Sequence, residues 1–231
     1  MVKDIVGDLQ KLKDPKRAKI LARFFKTGKG EYGEGTVFWG ITVPDVRSVA
    51  KKHLDIPLSI INRLLSSRIY EHRLTALIIL VEKYRKAKES DKKKIVNFYL
   101  SNTKRVNSWG LVDLTADKIL GNYLLKKDKS ILYRLARSKN LWERRIATIS
   151  TFEFIKNNKF TDSLKIAQLL LRDEHDLIHK AVGWMLREIG KRDQRTEERF
   201  LKKHYNSMPR TMLRYAIERF NERKRRLYLR R

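Results

Sequence analysis

Leu74, Leu77, Ile78, Val81 and Tyr84 follow the i, i+3, i+4, i+7 spacing of one helical face, and the chain repeats that spacing along most of its length. Comparable apolar stripes occupy residues 20–25, 58–65, 95–100, 119–125, 131–136, 142–155, 164–171, 177–189 and 212–220. No run of strict apolar–polar alternation competes with them. Only four prolines interrupt 231 residues, and each stands where a helix would begin: Asp14-Pro15, Val43-Pro44, Ile56-Pro57 and Met208-Pro209. In a first turn the missing N–H of proline costs nothing. The polar connectors at 126–129, 156–159 and 190–196 are short, so successive helices fold back on one another. Helix pairs recur at about 35–45 residues, the range of helical solenoid repeats. The expectation is an all-α chain, one domain over 1–231, wound as a curved superhelical solenoid of antiparallel helix pairs with an extended concave face.

Charge narrows the partners. Lys and Arg number 54 against 26 Asp and Glu, a net charge of +28. Such an excess concentrates polyanions at the cost of self-repulsion, so a phosphate-rich partner is expected, nucleic acid above all. The chain has no cysteine, which removes disulfides, thiolate zinc sites and cysteine nucleophiles. Its first residues, MVKDIVGDLQKLKD, carry acids and lack the apolar run of a signal peptide. Nowhere do 18 apolar residues run together, so no membrane span and an intracellular location are expected. The segment 28–40, GKGEYGEGTVFWG, holds five of the ten glycines but lacks the GK[ST] of a phosphate loop. It reads as a flexible connection.

Three segments carry candidate chemistry. In 106–121, VNSWGLVDLTADKILG, Trp109 and Asp113 lie four residues apart, which on a helix puts them on one face a turn apart. An indole plane beside a lone carboxylate could receive a cation held on a polyanion. The plainer alternative makes Asp113 the cap of a helix starting at Leu114 and Trp109 a core aromatic. In 141–151, LWERRIATIST, Arg145 falls on the apolar face with Leu141, Trp142 and Ile149, a costly place unless it is paired or meets a charged ligand. In 175–191, HDLIHKAVGWMLREIGK, Trp184 has Lys180, Arg187 and Lys191 beside it, a basic row suited to a DNA backbone. His175 and His179 stand at i, i+4 but lack the HExxH pattern and a third ligand, so no metal is expected. The basic run RKRRLYLRR at 223–231 fits a solvated helix end or a phosphate-contacting tail.

With these motifs in order, the chain resembles the DNA alkylation repair enzymes, the AlkD-like DNA glycosylases built from HEAT-like repeats. The resemblance rests on SWGLVD at 108–113, LWERRIA at 141–147 and HKAVGWMLRE at 179–188, and it covers most of the chain. It implies that Asp113 is the catalytic aspartate, Trp109 its partner tryptophan, Arg145 the active-site arginine and Trp184 the second tryptophan. A family aromatic near the second helix, usually tyrosine, falls on Phe24, which keeps the ring and lacks the hydroxyl. The glycine-rich loop and the basic tail find no counterpart.

The resemblance further implies hydrolysis of the N-glycosidic bond of cationic alkylpurines, 7-methylguanine and 3-methyladenine, in duplex DNA, without metal or cofactor and by a monomer. On that reading Trp184 and Phe24 bind the damaged nucleotide while Lys180 and Arg187 contact the DNA backbone. The principal rival is a helical-repeat protein that binds damaged or branched DNA without catalysis, because a fold never fixes an activity. A basic RNA- or ribosome-associated protein would explain the charge but not the Trp109–Asp113 pair.

Overall fold

A computed structural model describes residues 1–230, and the chain is all-helical over them. Among the described residues no strand forms, and a single isolated parallel bridge joins Val37 and Ile69. The last residue of the basic run at 223–231 lies outside the described residues. Internal packing divides the chain into two compact units, Met1–Thr115 and the residues from Ala116 onward.

The first unit is organised on α5 (Tyr70–Lys86), in which every residue from Tyr70 to Leu80 is buried. A helix covered on all sides is core rather than surface. Helices α1 (Val2–Gln10), α2 (Pro15–Phe24), α3 (Val43–Lys52) and α4 (Leu58–Leu65) precede it, and α6 (Glu89–Ser101) follows; α3, α4 and α6 pack directly on it. A 3-10 turn at Thr103–Arg105 leads to α7 (Trp109–Ala116). Local chemistry starts these helices as expected: Asp14 accepts the Arg17 N–H with Pro15 in the first turn, and Thr42 accepts the Asp45 N–H with Pro44 behind it.

Two expectations fail in this unit. The stripe at 20–25 does not enter the core: α2 has no buried residue, and Ile20 and Phe24 are 66% and 62% exposed. Only Phe25, just past the helix, is buried. The segment 28–40 is not a flexible connection either. The N–H groups of Trp39, Gly40 and Ile41 donate to the Glu71 carboxylate at 2.9, 2.8 and 3.3 Å, and Phe38 and Ile41 are buried. Gly40 has φ +80°, and a side chain there would collide with the Asp14 carbonyl. The anchor lies some thirty residues further on, where local turn chemistry gives no hint of it.

The second unit is built on α10 (Leu141–Lys156), buried from Arg145 through Thr151. A π-helical segment (Asp117–Gly121), which runs into α8 (Asn122–Leu124), packs on it together with α9 (Ser130–Ala136), α11 (Thr161–Leu169) and α12 (Asp176–Gly190). Gly121 allows the close approach, since a Cβ there would collide with the Ser150 carbonyl. Helices α13 (Gln194–His204) and α14 (Arg210–Ala216) pack against α12, a 3-10 turn follows at Ile217–Arg219, and α15 (Glu222–Leu229) has no buried residue. Gly183 admits the α14 backbone: a Cβ there would meet the Met212 carbonyl at 2.5 Å.

Candidate functional site

Trp109 opens α7 and Asp113 lies one turn further along the same helix, so Asp113 is not the cap of a helix starting at Leu114. The preceding Ser108 supplies the first acceptor, its carbonyl taking the Leu111 and Val112 N–H groups. Both Trp109 and Asp113 are half-buried. Phe25 stacks on the Trp109 indole at 4.5 Å between centroids with a 7° tilt. Phe24 stands edge-on to both rings, 5.6 Å from Trp109 and 5.5 Å from Phe25. Behind Phe25 lie Phe38 at 5.0 Å and Tyr70 at 5.3 Å, which stack on each other at 4.7 Å. Each such pair adds about 0.5–1.5 kcal/mol beyond the area it buries. The rings therefore hold the indole plane fixed, with one face taken by Phe25.

Gly110 is what lets α7 sit against this wall. A Cβ there would collide with the Tyr70 hydroxyl and touch the Phe25 ring at 3.4 Å. Burial raises the Tyr70 phenol well above its usual range, and the neighbouring Glu71 and Asp113 carboxylates push it the same way. Tyr70 is thus a neutral phenol at the back of the cluster. Burial likewise raises Glu71, while the backbone amides it accepts from pull in the opposite direction. His72 is held down to about 4 by burial and the Lys13 charge, so it is neutral. Its Nδ1 pairs with the Ser67 hydroxyl at 3.0 Å.

The second unit carries the remaining residues singled out above. Arg145 is buried, and its Nη1 donates to the Leu177 carbonyl at the start of α12. Its neighbour Arg144 makes a side-chain pair with Asp173 at 2.6 Å. Trp184 is half-buried, 5.8 Å from Phe152, with its Nε1 donating to Glu188 at 3.2 Å. Lys180 pairs with Asp176 at 2.7 Å, and Arg187 pairs with Glu218. Both histidines serve the backbone: His175 Nδ1 accepts the Leu177 N–H, and His179 Nε2 meets the Asp173 carbonyl. Among the described residues no group of three or more His, Asp or Glu could hold a metal ion.

The structure thus brings Phe24, Trp109 and Asp113 together in one unit and sets Trp184, Lys180 and Arg187 on one helix of the other. Reasoning from the sequence missed Phe25, Phe38, Tyr70 and Gly110. Adjacent phenylalanines at 24 and 25 were a signal that either could face the indole; Phe38 and Tyr70 gave none, because only the folded loop brings them in.

The chain is all-helical and carries a net charge of +28, and comparison with known proteins gives its family. The model of the family described as "DNA alkylation repair enzyme" matches residues 5–220, and the chain belongs to that family. A solved structure described as a predicted DNA alkylation repair enzyme from Enterococcus faecalis is similar to it in fold. The TM-score is 0.71 at 17% identity, covering 91% of this chain and 97% of that one. No curated protein matches. No helix among the described residues is long and apolar enough to cross a membrane.

Proposed function

We propose that this family member is a DNA glycosylase that hydrolyses the N-glycosidic bond of cationic alkylpurines, such as 7-methylguanine and 3-methyladenine, in duplex DNA, leaving an abasic site. The observation that carries the reading is the Trp109–Asp113 face of α7, a carboxylate one turn from an indole that neighbouring rings hold rigid. An alkylated purine is already a cation and leaves without protonation. It departs as the neutral base with the electron pair of the broken bond, while water adds to C1′ and gives up its proton. Positive charge shifts toward the sugar in the transition state, as in other glycosidic cleavages.

A carboxylate about 4 Å away favours that charge by about 4 kcal/mol at an effective dielectric near 20. Each indole face adds about 0.5–2 kcal/mol by cation–π attraction. With two indoles the sum is about 5–8 kcal/mol, near the lower end of what enzymes supply, about 8 kcal/mol. That suffices for a labile cationic lesion and not for a neutral base, so the substrate range is confined to charged adducts.

In this reading Asp113 stabilises the sugar cation and orients the water, and Trp109, Trp184 and Phe24 pack on the damaged nucleotide. Arg145 holds a phosphate near the lesion, and Lys180 and Arg187 lie along the DNA backbone. The helices wind as a HEAT-like solenoid around the duplex, with the +28 charge supplying affinity. The protein acts as a monomer without metal or cofactor. The test is release of 7-methylguanine from methylated duplex DNA by the wild type and by Asp113→Asn. The variant is expected to lose release by a hundredfold or more, on the order of the loss of a charged transition-state contact, with duplex affinity within about threefold. Equal release by both removes Asp113 from the chemistry. Duplex binding with no release by the wild type leaves a DNA-holding scaffold.

A further inference from the structure

Arg73 sits in the covered centre of α5, 5% exposed, yet its guanidinium makes one hydrogen bond, from Nη2 to the Thr36 hydroxyl at 3.1 Å. Its Nε is buried with no partner. No carboxylate of the described residues pairs with it. The acid best placed to do so, Glu71 two residues earlier, is committed to the amides of Trp39, Gly40 and Ile41. The contrast with α12 is direct, where Arg187, Lys191 and Arg192 all meet Glu188 or Glu218. Burial lowers the guanidinium's affinity for its proton and outweighs the Glu71 charge, which reaches Arg73 only through space. A buried cation with no ion pair is costly and is a candidate for a ligand that neutralises it.

The surroundings specify the ligand. A guanidinium is a planar fork of five donors matched to oxyanions, and a threonine hydroxyl adds a sixth donor. Thr36 lies within the glycine-rich segment, next to Gly35, which is exposed, has φ +76° and would bring a side chain no closer than 3.9 Å to its nearest neighbour, the Arg68 guanidinium. Arg68 donates to the Gly35 carbonyl from the outer side and adds a second positive charge. Three residues before Arg73 on the same helix, about 4.5 Å of rise, Tyr70 forms the back of the Trp109 cluster.

We propose that Arg73 and Thr36 form an oxyanion site that takes a backbone phosphate of the bound strand close to the lesion. The assignment to DNA rests on the glycosylase reading; the oxyanion site itself does not. It gives the glycine-rich segment a role: its last residues, with Ile41, occupy Glu71, and Thr36 a few residues earlier is offered to the phosphate.

Wild type, Arg73→Met and Thr36→Val are compared as full chains. Binding to a 7-methylguanine duplex is measured across a potassium chloride series, and melting is measured with and without inorganic phosphate. Both variants are expected to bind about tenfold more weakly. The slope of log affinity against log salt should fall by about one for Arg73→Met, the loss of one phosphate contact. A methylphosphonate placed at successive strand positions should weaken the wild type at one of them and leave Arg73→Met unaffected there. Arg73→Met should also melt no lower than the wild type, because it removes an unpaired buried charge; a merely structural arginine would melt lower. Inorganic phosphate should raise the melting temperature of the wild type and not of Arg73→Met.

Unchanged affinity and slope in both variants, with no sensitive methylphosphonate position, overturn the proposal. If Arg73→Met does not fold, Thr36→Val and the wild-type scan decide alone. If the wild type binds no duplex but keeps an Arg73-dependent response to phosphate, the glycosylase reading falls and the oxyanion site stands. If it shows neither, both fall.

Discussion

Trp109 with Asp113 and Trp184 with Glu188 are the same pair in the same register, an indole and a carboxylate one helical turn apart, on α7 and α12. Their surroundings differ. Trp109 is walled by Phe24 and Phe25, and the phenol of Tyr70 lies within the field of Asp113. Glu188 is 6% exposed and ringed by donors: Trp184 Nε1 at 3.2 Å, Lys191 at 2.6 Å and Arg192 at 3.6 Å. An anion already shared among cations and an N–H has little field left for a substrate. Spacing alone makes two candidate pairs in this chain; the neighbours commit Glu188 to holding its own helix and the residues around it.

The comparison breaks most sharply if the acids are exchanged for amides. Asp113→Asn is expected to cost a hundredfold or more in 7-methylguanine release, the largest effect here. Glu188→Gln should change release by less than about threefold while lowering the melting temperature, because it leaves buried donors unpaired. Equal losses of release from the two amides would mean that both pairs serve the reaction.

Next in size is Gly110→Ala. The added methyl collides with the Tyr70 hydroxyl and must push either the ring or α7 away. Overpacking of this kind costs about 1–3 kcal/mol. Because it tilts the Trp109–Asp113 face itself, release should fall about tenfold at temperatures where the variant is folded. A glycine-to-alanine change at the exposed Gly30 loop position, which has φ +79° and open space, serves as the comparison for backbone strain alone. Loss of melting temperature without loss of release would separate the wall from the chemistry.

Phe24 and Phe25 then divide stability from contact. Phe25 is buried among four aromatic rings, and Phe25→Ala should destabilise by about 3–5 kcal/mol. Phe24 is 62% exposed with its edge on Trp109, so Phe24→Ala should stay within about 0.5 kcal/mol in stability. Its effect should appear instead as a severalfold loss of release. If Phe24→Ala releases 7-methylguanine as fast as the wild type, that ring does not touch the nucleotide.

What the sequence made legible follows the range of the interactions. The helices were readable because their apolar spacing, proline starts and short connectors are local; Pro15 and Pro44 stand in first turns as expected. Trp109 and Asp113 were readable because a four-residue spacing is meaningful on any helix. The stripe at 20–25 misled because α2 is short and heavily basic, and only Phe25 finds a place, in an aromatic cluster assembled from three other segments. The loop at 28–40 misled for the same reason. Its anchor is Glu71, and nothing in a run of glycines announces a carboxylate thirty residues away. Arg73 went unnoticed because a charge inside an apolar stripe looks like surface until the helix around it proves to be buried.

The smallest expected effect is on pH dependence and again sets the two units against each other. Glu197 on α13 is 1% exposed, its Oε1 has no partner, and burial pushes its carboxyl up to about 8. Gly190 on α12 makes the room, since a Cβ there would collide with that carboxylate. The folded protein therefore keeps a proton that the unfolded chain releases near its ordinary value of 4.5. Stability from this group is complete below that value and drains away as pH rises through about 8. His72 in the first unit has the opposite sign: held at about 4, it is neutral in the fold, and its contribution is lost as pH falls from 6.5 toward 4. Melting curves from pH 5 to 9 should show an alkaline decline of a few degrees in the wild type that Glu197→Gln flattens, with release at pH 7 unchanged because the residue lies outside the aromatic cluster. Parallel curves for the two proteins would mean that Glu197 is hydrated and ionised in the fold, and that its deep placement against Gly190 carries no proton.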